Sequence, residues 1–398
     1  MKILAYFLWT SALVSTTLLA QDVARVAPKV MIVSMWTPEA EIWYRRFSEL
    51  GMGELSLRIT LPGLSMLYPD VACTQDGFVC QLTIGEGEIN AAASMMALAL
   101  SPALDLTRTY FLIAGIAGVN PRHATLGSVA LSRYAIQVGL QYEIDPRSLP
   151  ADYPTGYIPY GRQRPYEYPL ITYGTEVFEV NANLRDAAYE FALRASLVDD
   201  EALESYRAQY EPAGDSYRKG LLPPTVELCD TLTSDVYFSG SILSEVFENT
   251  TTIWTNGTGV YCMTAQEDNA TLEVLVRAAM SNLVDFGRIV ILRSGSNFDR
   301  PPPDMSDIDH LTRTNQNGFA TSLENIFNVG GEIVRGIIHE WNCTFENGIP
   351  ADNYIGDIFG SLGGTPDFGL GPVTLPGAGA SSSSRRDRRP REVTAGEC

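Results

Sequence analysis

The runs "KVMIVSM" (Lys29 to Met35) and "YFLIAGI" (Tyr110 to Ile116) are apolar at almost every consecutive position rather than at alternate ones. A strand with one wet face alternates polar and apolar residues, so an unbroken run describes a strand covered on both faces, as in a parallel sheet. Between them "INAAASMMALAL" (Ile89 to Leu100) has the pattern of a packed helix. Buried strand, helix, buried strand is the signature of an α/β layer fold. Further along, strands are expected in "TIWTNGTGVYCM" (Thr252 to Met263) and "GRIVILRSG" (Gly287 to Gly295). The helix "NATLEVLVRAAMSNLV" lies between them, with Leu272, Leu275, Val276, Ala279 and Leu283 at helical spacing.

Residues 28–362 are expected to form the main domain. Within it, residues from about 141 to 222 are rich in Tyr and Pro ("DYPTGYIPYGRQRPYEYPL") and then helical ("NANLRDAAYEFALRASLV", with Asn181 as cap). This stretch reads as an insertion beside the core, suited to cover a site. Residues 363–398 are Gly, Pro and Ser-rich and then basic, a composition that cannot bury enough apolar surface to order itself. The N-terminal "MKILAYFLWTSALVSTTLLAQ" has one early Lys, an apolar run diluted by Ser and Thr, and a small residue at Ala20. It reads as a secretory signal (residues 1–20), predicting an extracellular or wall-associated protein.

Forty-seven acidic against 28 basic residues give a formal charge of −19, which repels nucleic-acid phosphates and anionic membrane surfaces. No later segment is apolar for long enough to span a bilayer, which excludes a multi-span transporter; the N-terminal run could alternatively stay as a membrane anchor, but its Ser and Thr and the lack of a stop-transfer flank favour cleavage and hence no stable membrane insertion. Secretion permits disulfides. Of six cysteines, Cys73 and Cys80 flank "TQDG" and suit a hairpin bridge, Cys229 with Cys262 is a second, weaker pairing, Cys343 is assigned to neither pair, and Cys398 is a candidate free thiol. Three His and no metal-ligand spacing predict neither metal nor cofactor. Four sequons, at Asn249, Asn256, Asn269 and Asn342, read as surface loops apart from Asn269.

Parallel α/β sheets bind ligands beyond the carboxyl ends of their strands, so the loops after each apolar run matter most. In "MWTPEAEIW", Glu39 or Glu41 could orient or deprotonate a water, or both could simply begin a helix, where Pro38 and acids are favoured. In "TIGEGEINAA", backbone N–H groups around Gly85 and Gly87 could hold an anion or sugar hydroxyls, but Glu86 and Glu88 argue against a phosphate cradle. In "AGIAGVNPRHATLGSVALS", Gly115 and Gly118 suit close approach of backbone to a ligand. "LTSDVYFSGS" offers Tyr237 or Phe238 for stacking, and "LRSGSNFDRPPP" offers Asn297 or Asp299 to a ligand edge. "MTAQEDNATLEV" puts Glu267 and Asp268 at a strand-to-helix turn.

In this order the segments resemble the nucleoside phosphorylase and nucleosidase superfamily, and most closely, over roughly residues 28–360, the fungal and bacterial purine nucleoside permease family. "IGEGEINAA" is similar to G-x-G-x-x-N-A-A, "AGIAGVNPRHATLGSVALS" to G-x-A-G…G-D-x-x-x-S, and "TSDVYFSGS" to the base-stacking S-G-D-x-F-x-x-G-S of methylthioadenosine/S-adenosylhomocysteine nucleosidases. The resemblance implies a single nucleoside phosphorylase-like α/β domain, with a central mixed β-sheet flanked by helices in three layers. It implies that Glu39 activates the attacking water, with Pro38 where the family has Met. Tyr237, beside Phe238, would stack on the purine, and Glu267 and Asp268 fall at the ribose-binding Met-Glu pair, leaving open which holds the sugar. Asn297 would contact the purine ring, and since an amide cannot protonate it, either Asp299 supplies the proton or hydrogen bonding suffices. Gly87 and Gly115 would approach the substrate.

Glycosidic cleavage builds positive charge on the ribose and negative charge on the purine, so carboxylates belong near the sugar and donors near the base. The expected activity is a secreted purine nucleoside N-ribohydrolase. The alternatives are a phosphorylase using phosphate, disfavoured by four nearby carboxylates, and a nucleoside-binding or uptake-assisting protein without turnover. Assembly as a homo-oligomer also follows from the resemblance.

Overall fold

In the computed structural model, which describes residues 25–366 and residue 368, the first apolar run becomes the strand Val30–Ser34, buried at every residue. It pairs in parallel with Val79–Thr83 on one side and Tyr110–Val119 on the other. The sheet covers its edges, and its side chains alternate between two cores. Met31 and Val33 join one cluster with Met95 and Leu98 of the helix Glu88–Ala99 and Leu272 and Leu275 of the helix Asp268–Met280. Val30 and Ile32 join the other with Trp43 of the helix Thr37–Arg46, Phe191 of Ala182–Ala192 and Val334 of Gly318–His339. Helix layers on both faces are why these strands carry no polar alternation. Each such buried aliphatic side chain contributes roughly 1.5–3 kcal/mol.

The sheet has 13 strands and is mixed, as expected of a three-layer α/β domain. Its long central strand, Tyr110–Val119, pairs in parallel with Ile289–Phe298 along nearly its whole length. On the opposite edge it keeps Val30–Ser34 only as far as Ile113, and then meets Tyr261–Ala265 antiparallel at Gly118 and Val119. Among the described residues that edge has no strand partner between Ile113 and Gly118. The candidate site lies at this divergence, the arrangement that opens a crevice in α/β sheets.

Two expectations change. Thr252–Trp254 does not begin a strand but ends the helix Ser241–Trp254, and only Tyr261–Ala265 is extended. The run Thr250-Thr251-Thr252-Ile253 is β-branched and favours a strand by composition. Burial of Val246, Thr250 and Trp254 on one helical stripe overrides it, and the turn is made at Asn256 and Gly257, both with positive φ. The Tyr/Pro-rich segment is also less separate than an insertion. Gln141–Glu143 and Tyr157–Pro159 do form their own two-stranded sheet. Val177–Glu179, however, joins the main sheet beside Tyr134–Gln137, and Ala182–Ala192, capped by the Asn181 side chain, packs in the core.

Cys73–Cys80 and Cys229–Cys262 are disulfide-bonded. The signal segment, Cys398 and most of the tail lie outside the described residues. Among the described residues no helix is long and apolar enough to cross a membrane.

Candidate functional site

Where Val30–Ser34 ends, the chain turns directly into the helix Thr37–Arg46, with Pro38 in the first turn. The two acids of "PEAE" differ in placement. Glu41 is exposed on the second turn of the helix, whereas Glu39, the acid of the first turn, is buried (2% exposed) and lines a cavity of about 440 Å³. Its Oε2 accepts from the Met35 N–H and its Oε1 from the Ile116 N–H, both at 2.8 Å. The second donor belongs to the strand edge that lacks a partner, so sheet divergence and carboxylate placement are one feature. Burial pushes the Glu39 carboxyl up from 4.5 to about 7, against the opposing pull of Arg293 and the two backbone donors. A base poised near neutrality is suited to proton transfer.

Glu267 and Asp268, adjacent in sequence, have different surroundings. Glu267 lines the cavity. Its Oε1 accepts from the Gly87 N–H (3.0 Å) and its Oε2 from Arg293 Nη2 (3.2 Å). Asp268 is fully buried, is absent from the cavity wall, and forms a close ion pair with Arg293, whose Nε also approaches both its carboxylate oxygens (3.2 and 3.3 Å). The Gly87 amide therefore does hold an anion, but that anion is the protein's own Glu267. Next along the helix, Asn269 is 2% exposed; its Nδ2 donates to the Thr175 carbonyl (2.8 Å) and its Oδ1 accepts from the Thr233 hydroxyl (2.8 Å), so the nitrogen of this sequon is buried against the protein.

Arg293 was not singled out in the sequence, although a charge inside the apolar run "RIVILRSG" is a signal that something buried must balance it. Strand register sets Arg293 opposite Gly115. A Cβ on Gly115 would lie 2.6 Å from Arg293 Nη1, 2.6 Å from Met35 Sδ and 2.9 Å from Glu39 Oε1. Gly115 does not line the cavity; its missing side chain makes room for the carboxylate and the guanidinium rather than for a ligand. Gly115→Ala is expected to displace the Glu39 carboxylate while the protein still folds, measured by a crystal structure of the variant beside circular dichroism. Gly118 does line the cavity. It lies between Thr264 and Asn297, and a Cβ there would come within 2.3 Å of Thr264 Oγ1.

The other end of the cavity is aromatic and amide-lined. Both Tyr237 and Phe238 line the cavity; Tyr237 is 62% exposed, while the half-buried Phe238 ring packs on Phe247 (4.4 Å) at the edge of the core, so Tyr237 has the freer face for stacking. A bulge between Gly295 and Asn297 re-aims the strand there. Asn297 Nδ2 lies 3.3 Å from the Phe298 carbonyl, an acceptor, which orients the amide with its oxygen toward Ser296 Oγ (2.9 Å). Asp299 is held by Arg300 (Nε to Oδ1, 2.8 Å) and by the Tyr261 hydroxyl (2.6 Å to Oδ2), so both its oxygens are already accepting. His310 also lines this end and was missed, because a His within "DIDHLTR" looks like helix surface in sequence. No residue of 141–222 lines the cavity, so the Tyr/Pro-rich segment does not cover it. Among the described residues no cluster of His, Cys, Asp and Glu could hold a metal ion.

The description of the purine nucleoside permease family matches residues 27–350. The chain belongs to this family. It is 46% identical over 348 residues to a purine nucleoside permease of Candida albicans, covering 86% of this chain and 83% of that one. It is 38% identical over 323 residues to a protein of Schizosaccharomyces pombe named a probable purine nucleoside permease, covering 79% and 90%. Among solved structures it is similar to 5'-methylthioadenosine/S-adenosylhomocysteine nucleosidase from Neisseria meningitidis (16% identity, TM-score 0.44, 78% of this chain and 99% of that one). It is also similar to futalosine hydrolase of Helicobacter pylori (12%, TM-score 0.45, 79% and 98%).

Proposed function

We propose that this family member cleaves the N-glycosidic bond of purine nucleosides with water. The observation that carries the reading is the buried Glu39 carboxylate, fixed by two backbone amides on the wall of the cavity that Glu267, Tyr237 and Asn297 also line. In this reading Glu39 takes the proton of the attacking water as positive charge builds on the sugar. Glu267, with oxygens fixed by Gly87 and Arg293, accepts from the ribose hydroxyls. Asp268 acts one step back, balancing Arg293 so that the guanidinium can hold Glu267. Tyr237 stacks on the base, and the Asn297 amide donates to the departing purine without protonating it. Asp299, fully engaged with Arg300 and Tyr261, is left to shape the loop rather than to donate a proton.

Water is favoured over phosphate because, among the described residues, the only Arg or Lys on the cavity wall is Arg293, already paired with two carboxylates, while Glu39, Glu86, Glu267 and Asp299 line the same space. A dianion there would meet net repulsion. Arg122, another candidate cation, is paired with Glu245 and Glu248. The relatives' name supports a second reading, a nucleoside-binding protein that assists uptake. With no membrane-crossing helix among the described residues, that role would rest on capture in this cavity.

Incubating the protein with purine nucleosides, with and without phosphate, separates the readings. Free ribose without phosphate is expected; ribose 1-phosphate formed only with phosphate would replace hydrolysis by phosphorolysis, and binding without turnover would leave the uptake reading. The pH profile is a second check. Glu39 is protonated below about 7 and a base must be unprotonated, so kcat/KM is expected to fall about tenfold per unit as pH drops below that value. A flat profile between pH 5 and 8 would remove Glu39 as the base.

A further inference from the structure

The base end of the cavity contains a hydrogen-bond chain that the cleavage chemistry does not use. Ser239 and His310 both line the cavity, and Ser239 Oγ lies 2.6 Å from His310 Nδ1. On the far side of the ring, His310 Nε2 lies 3.5 Å from the Tyr210 hydroxyl. That hydroxyl donates its single hydrogen to the Arg300 carbonyl at 2.7 Å, so toward His310 it can only accept. The ring hydrogen is thereby assigned to Nε2, leaving Nδ1 as an acceptor for the Ser239 hydroxyl. Burial holds the imidazole neutral, its pKa lowered to about 4 despite Asp299 and a hydrogen bond with Gln316, so this polarity persists at neutral pH. With its hydrogen committed to His310, the Ser239 oxygen offers the cavity only lone pairs.

Ser239 also sits where a purine would be read. The Gly240 N–H donates to the Asp299 carbonyl (3.0 Å), tying the loop that carries Tyr237 and Ser239 to the loop that carries Asn297. Ser239 and Asn297 thus border the same end of the cavity. If the Asn297 amide meets N7, the next group along the rim of the base is the substituent on C6, with N1 farther round.

Resting on the reading of the cavity as a purine nucleoside site, we infer that Ser239, positioned by His310, accepts a hydrogen bond from an amino group on C6 and so selects 6-aminopurine over 6-oxopurine nucleosides. A 6-oxo group would set two acceptors against each other and leave both unsatisfied in a partly dry site.

The test is kcat/KM and, in parallel, calorimetric Kd for adenosine, inosine and purine riboside, the last keeping N1 but lacking any C6 substituent. Adenosine is expected to exceed both by about 10-fold or more. Ser239→Ala is expected to bring the adenosine-to-inosine ratio to about one, and His310→Ala, which frees the hydroxyl to donate, to move it toward inosine. The ratio distinguishes a recognition role from a structural one, because a general loss of folded protein lowers both nucleosides alike. If inosine matches or exceeds adenosine, or Ser239→Ala leaves the ratio unchanged, this inference falls while nucleoside cleavage stands. If the wild type binds none of the three, the nucleoside site itself fails, and the inference with it.

Discussion

Glu39→Ala is expected to reduce turnover of a purine nucleoside by about 10²- to 10⁴-fold while leaving its Kd within a few-fold, the span associated with removing a positioned general base. The base and the sugar are held by other groups, so binding should survive. Glu39→Gln is a stricter version. The carboxylate uses both oxygens to accept backbone N–H groups, from Met35 and Ile116. A glutamine has one oxygen, so one of the two donors would face an NH₂ group, at a cost of about 1–3 kcal/mol. Glutamine should therefore be as inactive as alanine and no more stable. Single-turnover kinetics beside thermal melts would check both points, and an unaffected rate in either variant would remove Glu39 from the mechanism.

Asp268→Ala is expected to be the most destabilising single change near the site, at about 3–5 kcal/mol. Arg293 is only 1% exposed and Asp268 is fully buried, so the substitution takes from the guanidinium its closest carboxylate and leaves it paired with Glu267 alone, with the half-titrated Glu39 nearby. A fall in the denaturant midpoint with unchanged slope is the expected signature. The remaining carboxylate would then be drawn toward Arg293, so substrate affinity should weaken along with stability. Removing both charges together, in Asp268→Leu with Arg293→Met, should recover much of the stability but not the affinity, because Glu267 loses the guanidinium that orients it. Recovery of affinity as well would mean that Arg293 does not position Glu267.

The contrast between these two neighbours marks how far sequence reading reaches. Glu267 and Asp268 form one acidic pair in "QEDNA", and nothing in the string separates a residue on the cavity wall from one sealed beneath it. Helix geometry and the strand opposite do that. Arg293 approaches from a strand paired with Gly115 and captures Asp268, while Gly87 and the same Arg293 leave Glu267 at the surface of the cavity. Gly115 and Gly118 look alike in "AGIAG" for the same reason. Their roles depend on which cross-strand atoms occupy the space a Cβ would fill, and that is set by register.

By itself the sequence determined the layer architecture, because runs such as Val30–Ser34 are tolerable only where helices cover both faces of a sheet. It also marked the loops that would carry chemistry, since ligand loops follow strand ends in such folds. Tertiary structure alone decided which groups in those loops meet. Glu39 meets the amide of Ile116 only because two strands part at Ile113, and His310 reaches Ser239 only because a distant helix folds over the base end of the cavity. Periodicity records whether a side chain is buried. Its partners come from parts of the chain far away in sequence, and so the pairing of charges and hydrogen bonds is written only in the packed fold.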